Sequence, residues 1–304
     1  MKSGDDMAKI SKFERKKYLG YTIVVGTILA IYTVSMIFPL LWGVSTSLKT
    51  PAGFRKDILW LPQGHIWQWQ WSNYDAVFQE LYITTSTGKD VFFPQLILNT
   101  TVIAFVNAFI PGWVNIITAY LTVRFKQFKL SKIFINISLI MMLLPIGASL
   151  GVSIKFRQAL GMYDNLLTNL IPSLSWGGTN FFIYRSLFKG VGETYCEAAE
   201  IDGAKEGTIM VRIMIPFVIP MYMAFSIMGF VGAWGDYQYT LVWMPSMPTV
   251  GYALFNFTSS TTSTASHITT QMAACIFTML PVLIVYSIFS DFFMKNLNVG
   301  GIKG

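Results

Sequence analysis

The sequence predicts an all-α membrane protein with six transmembrane helices, and three observations carry that prediction. Of its 304 residues 53% are hydrophobic and 12% charged, whereas soluble domains carry about 25% charged residues. The charges are clustered, leaving tracts free of Asp, Glu, Lys and Arg at 18–48, 91–123, 133–154, 165–184, 213–235 and 237–290. Each tract can hold the roughly 20 residues that a helix, rising about 1.5 Å per residue, needs to cross a hydrocarbon core. The runs also lack the alternation of a membrane β-strand. A helix satisfies its own N–H and C=O groups, as a backbone without water must.

The predicted spans are 20–43, 96–122, 133–153, 165–187, 213–240 and 271–292, within a membrane domain of residues 18–304. Residues 1–17 are polar and basic and read as a loosely ordered or short amphipathic tail. Orientation follows from the distribution of Lys and Arg. Lys2, Lys9, Lys12, Arg15, Lys16 and Lys17 lie in the tail; Arg124, Lys126, Lys129 and Lys132 lie in the second-to-third connection; Arg185, Lys189, Lys205 and Arg212 lie in the fourth-to-fifth. Fewer fall on the other side, at Lys49, Arg55, Lys56, Lys89, Lys155 and Arg157. The positive-inside rule then puts both termini in the cytoplasm. It also accounts for the net charge of +7 without a nucleic-acid partner. The first span exceeds a signal-peptide core and lacks a small-residue cleavage site, so it is expected to stay attached. Cys196 and Cys275 fall in a cytoplasmic connection and in the last span, which excludes a structural disulfide.

Outside the membrane, residues 44–95 carry Trp60, Trp67, Trp69, Trp71 and Tyr74. These fit an aromatic interfacial belt or a docking surface for an external partner. Residues 244–270, with Pro245, Pro248 and a Ser/Thr-rich end, read as a surface loop.

The most informative stretch is 188–216. Thr194 and Glu197 have capping-box spacing, so a short helix begins there, and Gly203 is a left-handed stop for it. Ala198 and Ala199 give that helix a low-profile face. A second helix starts near Thr208 and runs through Ile213, Ile215 and Pro216 into the fifth span. At these residues the chain resembles the permease subunits of ATP-binding-cassette importers, whose hallmark is Glu-Ala-Ala, three residues, Gly, nine residues, then Ile-x-aliphatic-Pro. Glu197, Ala198, Ala199, Gly203, Ile213, Ile215 and Pro216 occupy all of those places. Further likeness is to the carbohydrate branch, the maltose-transporter-type second permease. It lies in Asn99-Thr100 opening the second span, Ala119 and Tyr120 before Arg124, Pro145 closing the third, Trp234 in the fifth, and the Gly300-Gly301-Ile302-Lys303-Gly304 end. Trp234 is followed by Gly235 and Asp236, where relatives commonly have Trp-Asn.

The resemblance implies a type I importer permease in a bacterial or archaeal inner membrane, forming half of a pathway for a sugar or oligosaccharide. It implies as partners a second, different permease, two ATPase subunits that bind the ATP and Mg, and an extracytoplasmic solute-binding protein. The helix around 194–203 would seat in a cleft of one ATPase subunit. No cofactor is expected on this chain and no enzymatic activity. Gly88-Lys89 has Ile83 where a phosphate-binding loop needs its first glycine and Asp90 after the lysine; His65 and His267 lack neighbours at ligand spacing.

For the solute pathway the candidates are Asp236, the ionisable group nearest a span interior, with Trp234 and Tyr237; an interfacial carboxylate is the plain alternative. Pro216 and Pro220 either kink the fifth helix for gating or are simply tolerated near its start. Scarce buried positive charge favours a neutral solute, while Lys155 and Arg157 leave room for glycerol phosphate or an acidic oligosaccharide. An ion-coupled secondary transporter would show mid-span ionisable residues and broken inverted repeats, and a non-transporting scaffold would purify without an ATPase.

Overall fold

The computed structural model describes residues 3–143, 150–174, 177–192, 194–260 and 267–296. Among the described residues helices dominate, and four are long and apolar enough to cross a membrane: Tyr21–Ser47, Phe93–Arg124, Glu206–Trp234 and Ile268–Phe289. Two compact units divide the chain, one of residues 1–77 and 262–276, the other of 78–261 and 277–304.

In the first unit, α1 (Ser3–Ser47) is helical from the start of the expected tail. None of the residues of its apolar window is buried. Its far end is packed instead. The chain folds back through α2 (Pro51–Lys56), a 3-10 turn (Ile66–Gln68) and the start of α3 (Ser72–Glu80). Thr50 caps α2 by accepting from Gly53 N–H, and Pro51 begins it, where its missing N–H is harmless. Buried Asn73 donates to the carbonyls of Ser47 and Lys49 at 2.8 and 3.0 Å. The first is left over by the end of α1 and the second belongs to the turn after it, so one amide satisfies both.

The second unit opens on a hairpin, β1 (Tyr82–Thr84) and β2 (Asp90–Phe92), antiparallel with Ile83 opposite Val91. The all-α expectation omitted it. The alternation of Tyr82-Ile83-Thr84 and the turn through Gly88, at φ +79°, are the local causes. Then come α4 (Phe93–Arg124), α5 (Lys129–Leu143), α6 (Leu150–Ala159), α7 (Leu166–Ser173) and α8 (Gly178–Val191). The span predicted at 165–187 is therefore divided between α7 and α8; of the span predicted at 133–153, α5 covers 133–143 and α6 begins at 150, and residues 144–149 between them lie outside the described residues. Gly177 and Gly178, at φ +107° and +76°, separate α7 from α8, because two successive left-handed residues cannot continue a helix. Pro145, expected to close the third span, lies outside the described residues, as does the Gly300–Gly304 end.

Beyond these lie α9 (Thr194–Ile201), α10 (Glu206–Thr208), a π-helical turn (Ile209–Met214) and α11 (Ile215–Trp234). Next are α12 (Tyr237–Trp243), α13 (Val250–Ser259) and α14 (Ile268–Asn296). The fifth span was predicted to reach 240, but Gly235 caps α11 and Asp236 starts a new helix. Likewise α13 occupies part of the expected loop 244–270. The core forms where α4, α8 and α11 meet, around Ile116, Tyr120, Phe181, Tyr184, Val218 and Tyr222. Small residues permit it: a Cβ on Gly112 would lie 2.6 Å from the Tyr222 ring, and one on Gly229 would lie 3.5 Å from Ala108 Cα. Close backbone approach of this kind holds membrane helices together.

Candidate functional site

The Glu-Ala-Ala segment forms a knuckle built from two devices. The first is its stop. Gly203 adopts φ +79°; its N–H donates to Glu200 C=O at 2.9 Å and Ala204 N–H donates to Ala199 C=O at 2.9 Å. This reciprocal pair is a Schellman closure and requires a left-handed residue at position 203. The spacing from Glu197 to Gly203 is thus the length of one short helix plus its cap.

The second device is attachment. Cys196 is buried, its sulfur 3.6 Å from that of Met214. Ile209, Met214 and Ile215 enter the same core, with Ala199 and Ala204 packed against it. Arg124, at the end of α4, pairs with Glu200 and Glu206. Its Nη2 and Nε donate to Glu206 Oε1 at 2.7 and 3.0 Å, and Tyr120 O–H donates to Glu206 Oε2 at 3.0 Å. A planar guanidinium fork suits such a pair better than a lysine would. Sequence reasoning noted Arg124 and Tyr120 without giving them this role, and it passed over Glu200 and Glu206. The available signal was that Glu193, Glu197, Glu200, Asp202 and Glu206 outnumber Lys189, Lys205 and Arg212 in this connection.

What remains exposed is a coherent face: Tyr195, Glu197, Ala198 and Ile201, with Ile201 86% exposed. Ile213 is half-buried and Pro216 exposed. Pro216 cannot donate to Arg212 C=O, and its ring crowds that carbonyl. The preceding π turn, in which Ile215 N–H reaches Met210 C=O, is the wide turn that accommodates it.

At the other end of α11 the three pathway candidates separate. Trp234 is buried beside Phe230 and Ala104, and its Nε1 donates to Thr278 C=O at 3.2 Å. Asp236 is exposed and caps α12, Oδ1 accepting from Gln238 and Tyr239 N–H at 2.9 and 3.0 Å. Tyr237 stacks on Phe255 at 4.3 Å between centroids. Nearby, Arg157 lies 4.0 Å over the Trp243 ring and donates to Asn169 Oδ1 at 2.7 Å. Elsewhere, His65 stacks on Trp67, and no group of three His, Cys, Asp or Glu side chains able to hold a metal occurs among the described residues.

Long apolar helices with a capped knuckle pinned between them define the permease of a binding-protein-dependent ABC importer, a transport component of the inner membrane. The chain belongs to the family of binding-protein-dependent transport system inner membrane components, whose model matches residues 113–299. It is 28% identical over 284 residues to an inner membrane ABC transporter permease protein, YcjP, of Escherichia coli K12, covering 91% of this chain and 94% of that one. It is 25% identical over 281 residues to the sn-glycerol-3-phosphate transport system permease protein UgpE of Pectobacterium atrosepticum, covering 91% and 96%. Among solved structures it resembles a chain of a bacterial ABC transporter involved in the import of the acidic polysaccharide alginate. The TM-score there is 0.74, with 20% identity and coverage of 91% and 98%. The fold is that of a type I ABC importer permease.

Proposed function

We propose that this chain forms half of a carbohydrate pathway and converts ATPase closure into helix movement through the knuckle at 194–204. The observation that carries the coupling role is the contrast between its two faces. Cys196, Ala199 and the acids held by Arg124 fix one face to α4 and α11, while Glu197, Ala198 and Ile201 stand free. An exposed Ile beside a small Ala suits insertion into a cleft on another protein. A rigid knuckle passes displacement on to α4 and α11, and the reorientation of the spans follows as a shift between two states. The seven hallmark residues divide between these tasks: Glu197 and Ala198 contact the ATPase, Ala199 and Gly203 shape the knuckle, and Ile213, Ile215 and Pro216 join it to α11.

The partners in this reading are a second, different permease, two ATPase subunits that hold ATP and Mg, and an external solute-binding protein. Both termini face the cytoplasm, and the shorter helices α5 to α8 supply the crossings beyond the four long ones. At the outer end Tyr237, stacked on Phe255, and the free oxygen of Asp236 face the solute, with Trp234 as their buried support. Arg157 is occupied by Trp243 and Asn169, which favours a neutral sugar. The glycerol phosphate and alginate systems among the similar proteins favour an anionic cargo as the second reading. Co-purification in mild detergent, followed by ATPase assay with loaded binding proteins, tests both. Stimulation by a binding protein carrying neutral oligosaccharide supports the first; stimulation only by one carrying glycerol phosphate or an acidic sugar selects the second. Recovery without any ATPase subunit would overturn the coupling role.

A further inference from the structure

The turn that follows α2 carries four apolar side chains in succession, Ile58, Leu59, Trp60 and Leu61, each between 53% and 76% exposed. Its backbone, by contrast, is paired within the protein. Asp57 Oδ1 accepts from Leu59 and Trp60 N–H, both at 3.1 Å. Trp42 Nε1 donates to Ile58 C=O at 2.9 Å, and Ser45 Oγ donates to Trp60 C=O at 3.0 Å. Asp57 is held in its turn, since buried Lys49 donates to its C=O at 2.8 Å. Water would pair such groups on an exposed turn, whereas a medium poor in water does not. Apolar side chains directed outward over a backbone paired inward suit the second surrounding.

The height of the turn is set by α1. The apolar stretch Tyr21–Ser47 has 27 residues, about 40 Å at about 1.5 Å per residue. That compares with roughly 30 Å of hydrocarbon and roughly 40–45 Å once the headgroup layers are included. Residues 42–47 therefore fall where hydrocarbon meets headgroups, and both pins, Trp42 and Ser45, belong to them. We propose that residues 58–61 form an interfacial anchor whose four side chains enter the lipid surface at the Ser47 end of α1. No charged side chain interrupts the patch, and it continues the uncovered apolar surface of α1, which points to lipid as its occupant. Trp60 fits that place: its ring is apolar, and its Nε1 bonds nothing among the described residues, so it can donate to an ester or phosphate oxygen of a lipid. Because the turn is fastened to α1 itself, the anchor sets the depth and tilt of that helix. The inference rests on residence in the membrane alone and would survive failure of the coupling or solute reading.

The test uses the assembled importer in lipid discs, with Leu59→Cys as the sole cysteine of the complex and an NBD fluorophore attached to it. A lipid with a doxyl quencher near the headgroup end of its acyl chain is expected to quench the label several-fold more strongly than aqueous iodide does. Trp60→Cys, at the most exposed of the four positions, provides a second label that does not depend on how the first variant folds, and an unchanged Tm of each complex checks the fold. Quenching of both labels by iodide and not by the lipid would overturn the proposal. Shielding of both labels from either quencher would also overturn it, and is the result expected if the second permease covers the patch.

Discussion

Single residues here act mainly by answering orphaned backbone groups. Asn99 Nδ2 donates to Pro248 C=O at 2.9 Å, Thr100 Oγ1 accepts from Val250 N–H at 2.8 Å, and Asn115 Oδ1 accepts from Gly177 N–H at 2.8 Å. In a membrane each such group, left unpaired, costs several kcal/mol, so these polar side chains fasten α4 to segments remote in sequence. Asp236 works locally, and Asp236→Ala should destabilise α12 by about 1 kcal/mol through loss of its cap. If solute specificity in the ATPase assay is also unchanged in that variant, Asp236 has no part in the pathway. At Gly112 the Tyr222 ring leaves no room for a methyl group. Gly112→Ala is expected to cost about 1–3 kcal/mol by overpacking, read as a lower Tm of the purified complex, whereas Gly232→Ala, with open space around it, should not lower it.

At the scale of elements, the knuckle is held by charge and stopped by conformation. Arg124 is mostly covered but its two acids are nearly half exposed, so screening by water leaves modest energy in each pair. The value of the arrangement is geometric: one fork spans two carboxylates on either side of the Gly203 turn. Arg124→Lys, which keeps charge and loses the fork, is expected to preserve assembly while lowering stimulated ATPase several-fold. A double-mutant cycle of Arg124→Ala with Glu206→Ala should show non-additivity, and additive effects would mean that the pair does not act as a unit. On the free face, Ala198→Asp should leave the chain in the membrane and abolish uptake, because a buried charge would enter the ATPase cleft. Wild-type uptake by that variant would remove the knuckle from the coupling path. Gly203→Val places a β-branched residue at φ +79°, which is strained by about 1–2 kcal/mol and should loosen the same contact.

Across the whole molecule, orientation is a statement about where charge sits relative to the bilayer. By the positive-inside rule the ends with Arg124, Lys126, Arg185, Lys189, Lys205 and Arg212 are expected on the cytoplasmic side and the hairpin turn with Lys89 on the other. Single cysteines introduced in a variant lacking Cys196 and Cys275 test this. Ser86→Cys in the turn should react with an impermeant maleimide in intact cells, and Glu197→Cys only after the membrane is opened. Labelling of both from outside would invert the topology.

The amino-acid sequence by itself determined the class, the membrane location, and the capped helix with its stop, because hydrophobic length, charge asymmetry and the Glu-Ala-Ala to Gly spacing are local properties. Its shortcomings were also local in origin. Apolar length alone cannot tell one continuous span from two helices broken at Gly177-Gly178, nor see that Gly235 and Asp236 end α11. Tertiary structure alone decided which charges pair and which do not. Arg124 meets Glu206 across 82 positions of sequence, and Arg185 meets no acid among the described residues, because pairing depends on the packing of α4, α8 and α11 around Gly112 and Tyr222. Side-chain spacing along one chain carries no record of that distance.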